Sequence, residues 1–397
     1  MANETNYKFT ELLMYREDTQ ATIPANPSAV EVKGLLNISI KDTQQTETNI
    51  TVDTDGEAAK KDRGKSSYEG SIECKYMGDM MPVLVTHVLG DPDTIADITS
   101  EVWASTTAYT KFNTFDVSSV TGKVVKHSDG THMLVCYEAG TSGATEPVLT
   151  GKSVGDKITD GTVTWILVKN LKRYDGTTQS CLPTAGLEYK ATSRCGGTVE
   201  TFVKRVEGVY LNSLELNKST GGIIHKYSIP AIGTKATDNT QQGWSSVTAE
   251  VGYSVQTMKD FAFKYDEMKV LVNDEEPTDA TMFRMTVNRG TTMEDGVAID
   301  TKVSNTPTMT IDGELKLKFT KEQYLSAYDN ENFVLKVLLG NARGEVAQFT
   351  FNNVEKDRVD PDFTTDRFAE ITIPLTASGD ATTKSINYTV TSQIDYQ

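Results

Sequence analysis

Thr150-Gly151-Lys152-Ser153 carries the closing residues of a phosphate-binding P-loop. Such a loop needs a further glycine, separated from the Gly-Lys-Ser by four residues, so that successive backbone N–H groups turn toward the phosphates. Glu146 stands there, and its carboxylate would repel the anion. A P-loop should also open a helix. This stretch runs instead through Gly155, Asp156 and Gly161 into the alternating Thr-Val-Thr-Trp of a strand, so spacing and context both reject nucleotide binding.

Other residues capable of chemistry are scattered. Cys74, Cys136, Cys181 and Cys195 form no Cys-x-x-Cys pair, so they are expected to be free buried thiols, and the histidines, at 87, 127, 132 and 225, are equally dispersed. Paired acids occur at Glu275-Glu276, Glu294-Asp295 and Asp360/Asp362, each in a polar loop without a nucleophile and base beside it. The run DTDGE (53–57) hints at a calcium loop, but the twelfth position from Asp53 is Gly64 where a glutamate is required. Asn37-Ile-Ser39 and Asn49-Ile-Thr51 match glycosylation acceptors and are taken as strand residues. No enzyme, cofactor or metal is expected.

The elements that would carry these residues are mainly strands. Period-two alternation recurs in LLNISI (35–40), TNITVD (48–53), GTVTWILV (161–168), VYLNSLEL (209–216), ELKLKF (314–319), AEITIPL (369–375) and SINYTV (385–390). The expected fold is mainly β, with large antiparallel sheets packed face to face. Two helices stand out. In GDMMPVLVTHVLG the apolar residues fall at helical spacing, with Asp79 placed to cap the start and Gly90 to end it; in TKEQYLSAY, Thr320 and Gln323 fit a capping box.

These helices share their surroundings. Gly70-SIECKYM leads into the first and Gly313-ELKLKFT into the second, each is followed by an apolar stretch closing on Leu-Gly, and KYSIPAIGTKATD (226–238) further on matches AEITIPLTASGD (369–380). The order implies a duplicated β-sandwich unit with short flanking helices. The first unit would comprise 1–102 and 173–255, with an N-terminal arm over 1–34, and the second 256–397. Between the halves of the first lies 103–172, with its own turns and seven lysines against six acids, expected to be an inserted small all-β domain.

The whole chain has 397 residues and a net charge of −16, which argues against tight DNA binding, since that affinity comes from cations neutralising phosphates. No apolar run approaches the roughly 20 residues that span a bilayer, and the opening MANETNYKFTELLMYRED lacks the pattern of an export signal, so no membrane association is expected. Polar residues 41–70 predict a hairpin with a long exposed tip, with 288–309 as its counterpart.

Taken together, YREDTQATIPANPSAVEVKG with its Glu17-Asp18 and Pro24, the long hairpin followed by GSIECKYMGDMMPVLVTHVLG, and the β-rich end resemble the major tail tube proteins of long, non-contractile-tailed bacteriophages (siphophages). The insert resembles a small β module recurrent in phage virion proteins, through Trp103, Tyr109, Gly122, residues 127–147 and DGTVTW (160–165). It departs from that pattern at KFNTFDVSS (111–119). The resemblance implies a virion protein made in the host cytoplasm that self-assembles into rings, hexameric or trimeric with pseudo-sixfold symmetry, stacked as a tube. Its implied partners are the tape measure, tail terminator and distal tail proteins, and viral DNA that passes without specific binding. Asp42, Glu47, Asp53, Asp55, Glu57, Glu294, Asp295 and Asp300 would then serve ring contacts or line an acidic lumen. The alternative is a carbohydrate-binding adhesin acting through the insert on host-surface glycans. Trp103, Tyr109, Tyr137 and Trp165 would form a stacking surface in that case, or else be buried anchors of a small core.

Overall fold

The computed structural model describes residues 8–17, 29–32, 35–48, 61–195, 198–219, 231–233, 235–238, 255–257, 262–277, 279–295, 302–305, 309–318, 332–357, 370–379 and 383–396. The chain is mainly β. In order, β1 (Lys8–Glu17) and β2 (Ala29–Glu31) precede a long hairpin of β3 (Leu35–Thr48) and β4 (Lys61–Cys74). A 3-10 turn (Gly78–Met80) enters the helix α1 (Met81–Leu89), followed by β5 (Thr94–Asp97). Short strands come next: β6 (Ala108–Tyr109), β7 (Val124–Lys126), β8 (His132–Glu138), β9 (Gly140–Thr141), β10 (Lys157–Asp160) and β11 (Val163–Lys169). Then follow β12 (Lys172–Thr177), β13 (Thr184–Cys195), β14 (Thr198–Leu211), β15 (Ser213–Ser219), β16 (Ala231–Gly233), β17 (Lys235–Asp238) and β18 (Val255–Thr257). The remaining strands are β19 (Met268–Val272), β20 (Ala280–Asn288), β21 (Thr292–Asp295), β22 (Lys302–Asn305), β23 (Thr310–Lys318), β24 (Phe333–Gly340), β25 (Val346–Lys356), β26 (Glu370–Ala377) and β27 (Ile386–Ser392).

Two large sheets repeat one strand order. The first runs β18-β2-β1-β13-β14-β16-β4-β3, with β17 also on β14. The second contains β19-β24-β25-β26-β23-β20, with β27 also on β25. Taken in chain order, β1, β3, β4, β13, β14, β16 and β17 therefore occupy the same places as β19, β20, β23, β24, β25, β26 and β27. Even the shared strand repeats: β14 meets β17 at 204–207 and β16 at 210–211, as β25 meets β27 at 346–351 and β26 at 354–356.

Three strands cross between these arrangements. β12 pairs β27, β5 pairs β12, and β15 pairs β20, so stretches numbered with the first sheet complete the second. The run VYLNSLEL, one strand by its alternation, is divided at Asn212 between the two sheets, and the Asn212 backbone carbonyl and side-chain oxygen accept the N–H groups of Arg289 and Thr291 at 2.8 and 2.7 Å. Alternation assigns a face to each residue but names no neighbouring strand.

One apolar cluster joins both sheets, from Leu12 and Met14 through α1 to Leu335, Val337 and Phe349. All of α1 is buried, not one face of it, because it touches β14 and β15 as well as β27. Each large apolar side chain taken wholly from water contributes about 2 kcal/mol. Gly90 ends the helix as expected, at φ 111°, with its N–H bonded to the carbonyls of Val85 and Thr86. Asp79 does not cap the start: its carboxylate accepts Ser392 Oγ and the Gln393 N–H, both at 3.2 Å. The helix expected at TKEQYLSAY lies outside the described residues. Within the proposed arm, β1 proves to be an internal strand between β2 and β13, with Leu12, Leu13, Met14 and Tyr15 buried.

Residues 103–172 build a four-stranded antiparallel sheet, β10-β11-β8-β7, and a short β6-β9 pair. Alternation here buries both faces. Val125, Leu134, Cys136, Trp165 and Leu167 point to one cluster; Val124, Met133, Val135, Ile166 and Val168 point to a second that includes Val346 of β25. The module is therefore docked on the large sheet. The stretch 111–119 makes the dock: Phe112 and Val117 are buried, the Phe115 carbonyl accepts Gln348 Nε2 at 2.9 Å, and the Val117 carbonyl accepts an Arg173 guanidinium N–H at 3.0 Å.

Candidate assembly interface

The long hairpin is positioned by its root. β4 pairs β16 only at Tyr68, Glu69 and Gly70, whereas β3 and β4 pair with each other from Leu35↔Cys74 out to Thr48↔Lys61. Beyond Asp42 the hairpin is a two-stranded ribbon, projecting about 20 Å at 3.3 Å per residue. Its sequence there is polar on both strands, as expected for a ribbon without a core beneath it. β3 is the edge of its sheet among the described residues. An edge presents a row of unpaired N–H and C=O groups, the chemistry of strand addition.

The second sheet carries a comparable projection. β20 and β23 pair from Ala280↔Leu317 to Asn288↔Thr310, and β21 and β22 extend them as a separate ribbon. Among the acids assigned to assembly, Asp42 stands opposite Tyr68 and Glu47 opposite Asp62 on the first ribbon. Glu294 is opposite Val303 and Asp295 opposite Lys302 on the second. Asp53, Asp55, Glu57 and Asp300 lie outside the described residues. The backbone thus puts Glu47, Glu294 and Asp295 on the two ribbons and Asp42 at the root of the first.

The four aromatic residues of the module do not form one exposed platform. Trp165 is fully buried and Tyr109 nearly so, their rings packed edge to face with centroids 4.8 Å apart. Trp103 is half-buried against the same cluster. Both indoles donate to Asp160 Oδ2, Trp103 at 2.8 Å and Trp165 at 3.1 Å, while Asp160 Oδ1 accepts the Gly143 N–H at 2.7 Å. Asp160, which the sequence offers only as the turn residue opening DGTVTW, is the buried acceptor that lets two tryptophans sit in a small core. Tyr137 belongs to the other face, half-buried, with Lys157 Nζ 3.6 Å from its ring centroid. Burial removes Trp165 and Tyr109 from any glycan-stacking surface.

Thr150-Gly151-Lys152-Ser153 is an exposed turn. The Lys152 N–H donates to the Leu149 carbonyl at 2.9 Å and the Ser153 N–H to Asp156 at 2.8 Å, leading to β10 and not to a helix. Glu146, the residue that spoils the P-loop, accepts the Ser128 N–H at 2.9 Å. Cys136 is buried, which pushes its thiol up to about 11, whereas Cys181 is exposed, contrary to expectation, because it lies in the loop between β12 and β13.

Ionisable groups buried around α1 hold the junction of the sheets. Burial lowers His87 to about 4; its Nδ1 lies 3.1 Å from the Pro183 carbonyl and its Nε2 2.7 Å from the Tyr396 hydroxyl, so the neutral ring is bonded at both nitrogens. Burial, then the nearby Asp79 charge, pushes Glu345 up to about 8, while Asn341 and Gln393 amides donate to its two oxygens at 2.6 Å. Arg289, also buried, donates to the Val88 and Leu89 carbonyls at 2.5 and 2.8 Å and closes the helix end.

Compared with known families, residues 10–391 match the family described as phage tail tube protein. No curated protein matches the chain.

Proposed function

Because the chain belongs to the phage tail tube protein family, a structural virion component, we propose that it polymerises into stacked rings forming the tail tube of a siphophage, the conduit for DNA delivery. The observation that carries this reading is the repeated strand order of the two large sheets, each with a projecting ribbon. Two equivalent units, 1–102 with 173–255 and 256–397, supply two similar contact surfaces per chain. Heterologous contacts between similar units close into a ring when the rotation between them closes. With sixfold pseudo-symmetry, three chains complete it. Residues 103–172, the inserted module, decorate the outside.

The ribbons, with Asp42, Glu47, Asp53, Asp55, Glu57, Glu294, Asp295 and Asp300, serve ring contacts and the lumen, where acids limit sticking of DNA because each fixed cation would add a phosphate contact. The tape measure protein occupies that lumen before ejection, and terminator and distal tail proteins bind the tube ends. Deleting residues 44–64 tests the assignment: negative-stain microscopy should show folded protein without tubes, and normal tubes from the deletion would sink it. The mass of an isolated ring should correspond to three chains; six would refute the pseudo-sixfold trimer.

A further inference from the structure

Two ends of the second sheet meet without pairing. β15 ends the path that runs through β20, β23, β26 and β25, and β19 ends the branch from β25 through β24. No ladder joins β15 to β19 among the described residues, yet Lys218 of β15 donates from Nζ to the Met268 carbonyl of β19 at 2.5 Å. Beside this seam β20 bulges, since Ala280 faces Leu317 and Met282 faces Lys316, leaving Thr281 over. A bulge bends its strand and interrupts the ladder. The gap at the seam is a cavity of about 320 Å³.

The cavity lining divides by chemistry. Val270, Phe283 and Leu315 belong to the main apolar cluster, and Ala280 and Met282 extend that surface. Tyr265, Glu276 and Lys218 supply the polar side. Glu276 is matched by Lys269 at 3.3 Å. Lys218 is half-buried, with Nζ 4.6 Å from the Tyr265 ring centroid, and makes no ion pair among the described residues. Burial holds its ammonium below the usual lysine range.

We propose that this cavity binds a small carboxylate with an apolar body, the body lying against Phe283 and Leu315 and the carboxylate on Lys218. A cavity of about 150 Å³ holds benzene, so this one has room for a phenyl ring and a short acidic arm. An ammonium has three donors, and the Met268 carbonyl takes one of them. An anion brought to the others makes charge-assisted bonds, roughly twice as strong as neutral ones. Apolar walls with a few placed polar groups are the pattern of small-molecule sites. Binding here stands or falls apart from the tube reading.

Phenylacetate is the probe, titrated into the full-length chain carrying methyl-labelled methionine. The Met282 methyl resonance, identified by its loss in Met282→Leu, should shift saturably with a Kd on the order of 1 mM. Phenethylamine, with the same ring and the opposite charge, should bind at least about tenfold more weakly, and so should phenylacetate to Lys218→Met. Should Lys218→Met fail to fold, Ala280→Leu, which fills the cavity, should abolish the shift instead. A shift that does not saturate by about 20 mM, equal affinity for the amine, or undiminished binding by the folded variants overturns the site.

Discussion

Trp165 and Asp160, five residues apart across the turn between β11 and β10, meet in the core of the 103–172 segment with the indole nitrogen 3.1 Å from Oδ2. Trp103 donates to the same oxygen and Gly143 to the other. Asp160→Ala leaves three donors without their acceptor, the Trp165 indole buried and the Trp103 indole and Gly143 N–H half-buried, and each unsatisfied group costs roughly 1–3 kcal/mol less whatever water can reach. We expect a loss of about 3 kcal/mol for the alanine and about 1 kcal/mol for Asp160→Asn, which keeps one acceptor oxygen. Urea unfolding followed by tryptophan fluorescence reads this directly, since two of the three tryptophans lie in the module.

Gly340 of β24 lies under the docking stretch of the module. A Cβ there would stand 1.6 Å from the Thr114 carbonyl oxygen, a backbone atom with no rotamer by which to yield. Gly340→Ala should lift 111–119 off the sheet, costing about 2 kcal/mol, in the range of overpacking. Limited proteolysis should cut that stretch faster than in wild type, while Gln348→Ala, which removes only the bond to Phe115, should have a smaller effect.

Arg289 caps α1 from the backbone just past the end of β20. Arg289→Met keeps much of the apolar stem but removes a buried cation and its donors from the helix C-terminus, where both the carbonyls and the dipole favour positive charge. The expected cost is about 3 kcal/mol, read as a lower urea midpoint. Burial brings Arg289 down to about 10, so the guanidinium remains charged at neutral pH.

Stability should depend on pH through two groups of opposite sign. His87 falls from 6.5 to about 4 on folding, so the unfolded chain binds more protons between those values and stability is lost as pH falls through that window, by about 3 kcal/mol in full. Glu345 rises from 4.5 to about 8, so the folded chain holds the extra proton and stability is lost as pH rises from 4.5 toward 8. The two oppose each other up to 6.5; above it Glu345 acts alone. Glu345→Gln should flatten the decline between pH 6.5 and 8, and His87→Gln the acid limb. Thermal unfolding across that range would show an unchanged slope in each variant if these assignments were wrong.

Local pattern determined a great deal. Alternation marked LLNISI in β3, GTVTWILV in β11, ELKLKF in β23, AEITIPL in β26 and SINYTV in β27, apolar spacing and Gly90 marked α1, and the repeated lead-ins at Gly70 and Gly313 marked equivalent strands, β4 and β23. Each rests on interactions among residues near one another in the chain, where period and turn chemistry are written directly into residue type. Asp79 could pass for a helix cap because a short polar residue before an apolar run satisfies that pattern whatever its carboxylate finally meets.

Tertiary structure alone decided which edge each strand joins. Leu211 and Leu214 belong to one alternating run yet sit in strands of different sheets, because Asn212 turns the chain and β20 offers the second half an edge. The same limit hid Asp160's role, which depends on Trp103 being brought to it from 57 residues away. It also hid the burial of α1 on every side, since a helix pattern shows which face is apolar and not how many sheets will cover it. Backbone pairing is nearly blind to side-chain identity, so the sequence specified strands and a fold class, and only the packed chain specified their neighbours.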